Sequence, residues 1–256
     1  PLLAALPGAL GAGSAAWGRF SRGFNFTVAE SPDGLRLTHG LLEQRSQTVP
    51  PGRVQALRIT QPLLWRGPGW WRVQVNVAGY GGGPGEEAKE ATTVLPVGTE
   101  EELARLLAVV LPGMAPGLDG AGVLDVVRAG LTGRDGDGGY TPVPRAARWL
   151  DPVAWRRHGY LVTEHAFLAR GGRLERRLDV VPHARTQSLG AAQGPLQRRL
   201  GLASVALHST SGPVKPRVEH LAAPVAAHLL AEQSVRARAA RAGAGPEHWM
   251  TGAPPA

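Results

Sequence analysis

The chain has 256 residues, no cysteine and a formal net charge of +8. The missing cysteines exclude disulfides, thiolate metal sites and cysteine nucleophiles, and the length suits two domains of about 100 residues, each able to bury its own core. Lys89 and Lys215 are the only lysines, so the positive charge is arginine, which fits an anionic partner, membrane face or nucleic acid, and equally a solvated basic surface.

Residues 1–18 carry no charge before Arg19 and Arg22. This membrane-proximal segment reads as the end of a transmembrane helix begun upstream, or as an Ala/Gly-rich leader packed on the first domain. In the first case the arginines that follow would place the domains on the cytoplasmic side. From Phe24 the chain reads as short strands. Ser31-Pro32-Asp33-Gly34 is a turn between Phe24 to Val28 and Leu35 to Thr38, which predicts a hairpin. Leu41 to Val49 forms a further strand ended by Pro50-Pro51-Gly52, and Val54 to Thr60 the next. Trp71, Val73, Val75 and Val77 alternate with polar residues, the period of a half-buried strand. Glycines around Tyr80 form a hairpin loop, without the spacing of a phosphate cradle, before a strand over Ala91 to Val97. Thr99 and Glu102 form a capping box, and a helix follows with Leu103, Leu106, Leu107, Val110 and Leu111 on one face until Pro112-Gly113 stops it.

Residues 113–145 read as a Gly-rich linker, with a short helix over Val123 to Leu131 and its most flexible part at 133–139. The strand order then recurs. Gly159 to Thr163, Phe167 to Arg170, Leu174 to Val181 and Leu202 to His208 are strands, and a closing helix begins near Pro224 and runs into Arg236, Arg238 and Arg241. Residues 243–256 read as a disordered tail.

The recurrence is gap-free. Gly40 to Val73 and Gly172 to Val205 share one register, 132 residues apart as Pro50 and Pro182 are. Repeated positions include Pro50/Pro182, Arg53/Arg185, Gln55/Gln187, Gln61/Gln193 and Arg66/Arg198. A period this long indicates two copies of a domain, since solenoid units recur every ~20–50 residues. Domain 1 is read as residues 19–112 and domain 2 as 146–242. Arg53, Gln55 and Leu57 share one strand parity, so a polar group faces the core or a bulge resets the alternation. The repeated polar residues therefore read as structural, with Arg53/Arg185 and Gln55/Gln187 bonding backbone carbonyls.

The pattern G-x-L-E-x-R, then V-P-x-x-R-x-Q-x-L-x-x-x-Q-x-x-L-x-R-x-x-G, resembles the bacterial PH-like domain of YdbS/YdbT-type membrane proteins. Copy two carries the closer form in Gln193-Gly194-Pro195-Leu196-Gln197-Arg198-Arg199-Leu200-Gly201, and copy one departs from it at Gln61-Pro62-Leu63-Leu64-Trp65-Arg66-Gly67. The resemblance implies a mainly β fold with α: two tandem PH-like domains, each a bent antiparallel sheet or partly open barrel capped by a C-terminal helix. It implies membrane attachment upstream and brings no catalytic residue and no cofactor.

No hydrolase or metalloprotease motif is present, and the eight histidines are scattered, so no metal site is assigned. His220 and His228 share a face only if the last helix starts before Pro224. Arg156 and Arg157, Arg173 with Arg176, and Arg198 and Arg199 are the candidate contacts to an anionic surface, worth about 1 kcal/mol each, with Trp70 or Trp71 as possible interfacial anchors. Nucleic acid is disfavoured because aromatics are few. The expectation is a non-enzymatic, membrane-associated scaffold or binding module facing the bacterial cytoplasm, with a protein, peptide or lipid partner. The alternative is direct binding of anionic lipid headgroups through the arginine clusters. A cryptic enzyme stands behind both.

Overall fold

The computed structural model describes residues 27–31, 34–39, 45–49, 51–78, 92–114 and 121–243. The membrane-proximal segment, Pro50, the loop around Tyr80 and the tail after residue 243 lie outside them. The chain divides into two compact units, residues 1–50 and 51–256. In the first, β1 (Thr27–Ser31), β2 (Gly34–His39) and β3 (Arg45–Val49) form an antiparallel meander. β1 and β2 meet at Ser31↔Gly34, which realises the expected hairpin, and Phe24 to Phe26 of the expected first strand lie outside the described residues.

The second unit is built on β4 (Val54–Pro62), β5 (Trp71–Val77), β6 (Thr93–Gly98), β7 (Thr141–Pro142), β8 (Gly159–Val162), β9 (Ala166–Gly171) and β10 (Glu175–Pro182). These seven make one antiparallel sheet in the order β6-β5-β4-β10-β9-β8-β7, not closed into a barrel. β11 (Ser188–Ala192), β12 (Leu202–His208) and β13 (Arg217–Ala222) form a separate three-stranded sheet. The helices are α1 (Glu100–Met114), α2 (Ala121–Thr132), α3 (Pro195–Arg199) and α4 (Ala223–Gly243).

The offset of 132 maps elements as well as letters. Shifted by it, β2 coincides with β9, the 3-10 turn Pro51–Arg53 with His183–Arg185, β4 overlaps β11, and β5 overlaps β12. Among the described residues each copy therefore has three strands, a 3-10 turn, three more strands and a closing helix, with the short β7 in addition at the start of copy two.

β4 is buried along almost its whole length, because β5 and β10 flank it while helices and loops cover its faces, so its sequence shows no alternation. Its register with β5 shifts between Val54 and Ala56. Gln55 lies at that irregularity and donates to the Arg53 carbonyl at 3.4 Å, which is the reset that the strand parity required.

At the start of α1, the Thr99 amide donates to Glu102 Oε2 at 2.7 Å and the Glu102 amide to Thr99 Oγ1 at 3.3 Å. That reciprocal pair is the capping box. Leu103, Leu106, Leu107, Val110 and Leu111 are all buried. The helix runs past Pro112 to Met114 rather than stopping there, because proline removes a donor only near an end where the helix is already finishing.

The segment drawn as a linker carries α2, whose Val127 and Leu131 are buried. Gly130 sits where a Cβ would lie 2.4 Å from the Tyr140 hydroxyl and 2.8 Å from Leu178, so only glycine allows α2 this close to β10. Residues 133–139, expected to be the most flexible part, are held by two buried arginines. Arg170 donates to the carbonyls of Asp135 and Asp137 and lies 4.5 Å from the Tyr140 ring, while Arg157 donates to Gly133 and, at 2.9 Å, to Leu131.

The core of copy two lies between β8 and β9 on one side and β11 to β13 with α4 on the other. It contains Phe167, Leu202, Val205, Leu207, Val218, Leu221 and Leu229. α4 buries Ala226, Leu229, Gln233 and Ala237, one residue per turn. Among the described residues no helix is long and apolar enough to cross a membrane.

Candidate functional site

The two copies are joined at β4 and β10, in register from Glu175↔Pro62 to Val180↔Leu57. Asp179, fully buried, receives Arg58 Nε at 2.6 Å and Nη2 at 2.9 Å. Arg58 also donates to the carbonyls of Pro213 and Lys215. Beside it, Asn76 Nδ2 donates to the Val214 carbonyl at 2.7 Å and its Oδ1 accepts the Val214 amide at 2.9 Å. A bidentate buried pair needs its remaining polar groups satisfied to repay desolvation. The loop between β12 and β13 supplies that here, so this seam is a structural lock.

Where the seam reaches solvent its chemistry changes. Arg176 faces Gln61 across the seam and donates to its Oε1 at 3.0 Å. Arg66, at the end of the 3-10 turn Leu63–Arg66 between β4 and β5, donates to the Arg173 carbonyl in the turn between β9 and β10. Arg157 Nε reaches the Gly172 carbonyl of the same turn at 3.3 Å. Among the described residues none of Arg66, Arg157, Arg173 and Arg176 is in an ion pair with a carboxylate. The charges press on one another. Burial, then Arg173, holds Arg66 below its ordinary value, and burial, then Arg66, does the same to Arg176. Arg157 is pushed down to about 10 by burial and by Arg176, Arg170, Arg66 and Arg134. Glu175, exposed at the start of β10, is the neighbouring acid, and positive charge that makes no ion pair favours an arriving anion.

Apolar side chains project from the same two turns. Leu63, Leu64 and Leu174 are 50%, 86% and 68% exposed, and Trp70 is 43% exposed. Trp70 packs edge-on against Trp65, with ring centroids 6.3 Å apart, and Arg72 lies over the Trp65 ring. Trp71, the other candidate anchor, is buried in the core.

Of the arginines proposed from sequence, Arg157, Arg173 and Arg176 thus come together. Arg156 stands apart in an ion pair with Asp135. Arg198 and Arg199 are exposed on α3, beside Leu196, which is 62% exposed. They repeat the leucine and arginine of the first copy, since Leu196 and Arg198 correspond to Leu64 and Arg66. Arg66 was read only as a repeated structural residue, and its place in the cluster shows only when the copies are joined.

The repeated polar residues do varied work. Arg185 Nη2 donates to the Gly52 carbonyl at 2.7 Å and Gln193 Nε2 to the Leu202 carbonyl at 2.8 Å. Arg53 and Gln187 are exposed, and Pro182 ends β10 opposite Ala166. His220 lies in β13 and His228 on α4, which begins at Ala223.

Two open grooves flank α2, of about 260 Å³ beside Trp71, Leu103 and Leu107 and about 220 Å³ beside Val126, Leu168 and Val180. Their linings are mostly apolar, with Glu100, Arg128 and Thr132 bordering the first and Thr163, Glu164 and His165 the second.

No curated protein matches the chain. The family described as Bacterial PH domain matches it twice, over residues 2–112 and 125–237. Those two matches fall on the two copies of strands and closing helix, and the chain belongs to the bacterial PH domain family as a tandem pair.

Proposed function

We propose that this tandem pair is a non-enzymatic binding module that works at the cytoplasmic face of a bacterial membrane, as the YdbS/YdbT resemblance implies. The supporting observation is the pairing of exposed Leu63, Leu64, Leu174 and Trp70 with Arg66, Arg173 and Arg176, which make no ion pair among the described residues, on adjacent turns. Leucine and tryptophan enter the headgroup boundary while arginines meet anionic lipid. Each arginine contributes about 1 kcal/mol and burying Leu64 contributes about 2 kcal/mol. A membrane so engaged leaves the rest of the surface for a protein or peptide partner, which makes the module a scaffold.

Sedimentation with vesicles tests this. The chain is expected to pellet with vesicles containing anionic phospholipid and not with purely zwitterionic ones, and to release as salt rises past about 0.15 M, where screening acts within about 8 Å. Equal pelleting with both vesicle types, or with neither, would overturn the reading.

A further inference from the structure

Among the described residues of α3, Gln197 alone is buried, so a polar side chain seats this helix. The Gly194 amide donates to Gln197 Oε1 at 3.0 Å, and Gln197 Nε2 donates to Ser204 Oγ at 2.8 Å and to His220 Nδ1 at 2.9 Å. A backbone amide can only donate, which fixes the Gln197 oxygen toward Gly194 and its nitrogen toward Ser204 and His220. That nitrogen in turn has only hydrogens to give, so His220 Nδ1 accepts and carries no proton. The backbone is bent to deliver the ring. Ser204 on β12 stands opposite both Glu219 and His220, in a bulge of β13 where His220 has a φ of 60°. A bulge re-aims a side chain, and a left-handed residue other than glycine is a strain that the surrounding structure must maintain. We infer that His220 is a proton-sensitive latch: unprotonated, it seats α3 on β12 and β13 through Gln197, and protonated, it lets the helix go.

A proton on Nδ1 sets two donors face to face across that 2.9 Å contact, so the bond is lost and the buried Gln197 amide is left with a hydrogen unpaired. The charged groups around the ring pull both ways. Burial, the largest influence, holds His220 below its ordinary value; Glu219 and Asp151 favour the proton, while His158 and Arg217 oppose it. Both acids have partners of their own, Asp151 in His158 at 2.8 Å and Glu219 in Arg217 at 3.5 Å. The His158 ring stands edge-on to His220 with centroids 6.1 Å apart. Copy one builds the same place differently. By the offset of 132, Trp65 and Arg72 are the equivalents of Gln197 and Ser204, and the Arg72 guanidinium lies 5.0 Å over the Trp65 ring. That contact does not titrate near neutral pH. α3 carries exposed Leu196, Arg198 and Arg199, the first two being counterparts of Leu64 and Arg66, so acid loosens this pair in copy two and not in copy one. The latch goes beyond the membrane reading and needs no lipid.

Amide hydrogen exchange of the full chain by NMR, expressed as protection relative to the intrinsic rate at each pH, tests the latch. The Arg198 and Leu200 amides close α3, and the Trp70 amide closes the corresponding turn of copy one. Protection of the first two should fall about fivefold from about pH 7.5 to about pH 5.5, because the released form takes the proton that the seated form resists. Protection of Trp70 should not change. His220→Gly, which suits the positive φ, should make the protection of α3 independent of pH. Gln197→Glu offers His220 an acceptor that prefers the protonated ring, so protection should rise in acid instead. Imidazole nitrogen shifts of the parent chain should show Nδ1 unprotonated at about pH 7.5. The latch is refuted if α3 keeps its protection in acid, if Trp70 loses protection equally, if His220→Gly retains the fall, if Gln197→Glu responds with the parent's sign, or if Nδ1 carries the proton. Should Gln197→Glu fail to fold, His220→Gly and the nitrogen shifts decide the matter.

Discussion

Asp179 takes its two shortest contacts from Arg58, a residue 121 positions away in the other copy. Truncating one member of such a buried pair leaves the other charged and unpaired. Asp179→Ala should therefore cost about 3–5 kcal/mol in urea unfolding, and Arg58→Met combined with Asp179→Leu should cost clearly less. A double variant as damaging as the single one would show that the ion pair is not what the seam depends on. The pair was not legible in the sequence, because Gly190 and Gln47 stand at the repeat-equivalent positions. Residues that break a repeat carry no periodic signal.

Among the elements, those whose partners lie nearby were the ones readable in advance. Thr99 and Glu102 are three residues apart and satisfy each other, so the start of α1 could be placed from the letters alone. The 133–139 run looked like a free spacer because glycine signals flexibility locally, whereas Arg157 and Arg170, which hold it, come from later in the chain. The closing helix of copy two offers a test of the same kind. Gln233 on α4 donates to His183 Nδ1 at 2.7 Å, and His183 Nε2 donates to the Thr163 carbonyl at 2.9 Å. Both ring nitrogens are thus used by the neutral imidazole. Burial, the largest influence, holds His183 below its ordinary value of about 6.5. Above about pH 6.5 neither folded nor unfolded chain is protonated there, and the full stability is present. As pH falls below that value the unfolded chain takes up a proton that the folded one resists, and stability is lost. His220 is displaced in the same direction. Urea midpoints should fall between about pH 7 and about pH 5.5, and His183→Gln should flatten that slope without abolishing it. An unchanged slope would place the acid sensitivity elsewhere.

At the scale of the whole molecule, joining the copies edge to edge makes a surface that neither has alone. Arg66 comes from copy one and Arg157, Arg173 and Arg176 from copy two. Burial and mutual repulsion both weigh against the charged forms of Arg66 and Arg176. Arg66→Gln with Arg176→Gln removes the hydrogen bonds to the Arg173 carbonyl and to Gln61, about 1 kcal/mol each, so the thermal midpoint should fall by no more than about 10 °C with the fold intact. The most direct measurement of the central claim is vesicle sedimentation of that double variant carrying Leu64→Ser as well. Loss of binding to anionic vesicles by about a hundredfold or more, with the fold intact, is the predicted result, from about 1 kcal/mol per arginine and about 2 kcal/mol for the leucine. Binding equal to that of the parent chain would contradict the placement of the membrane surface at the seam.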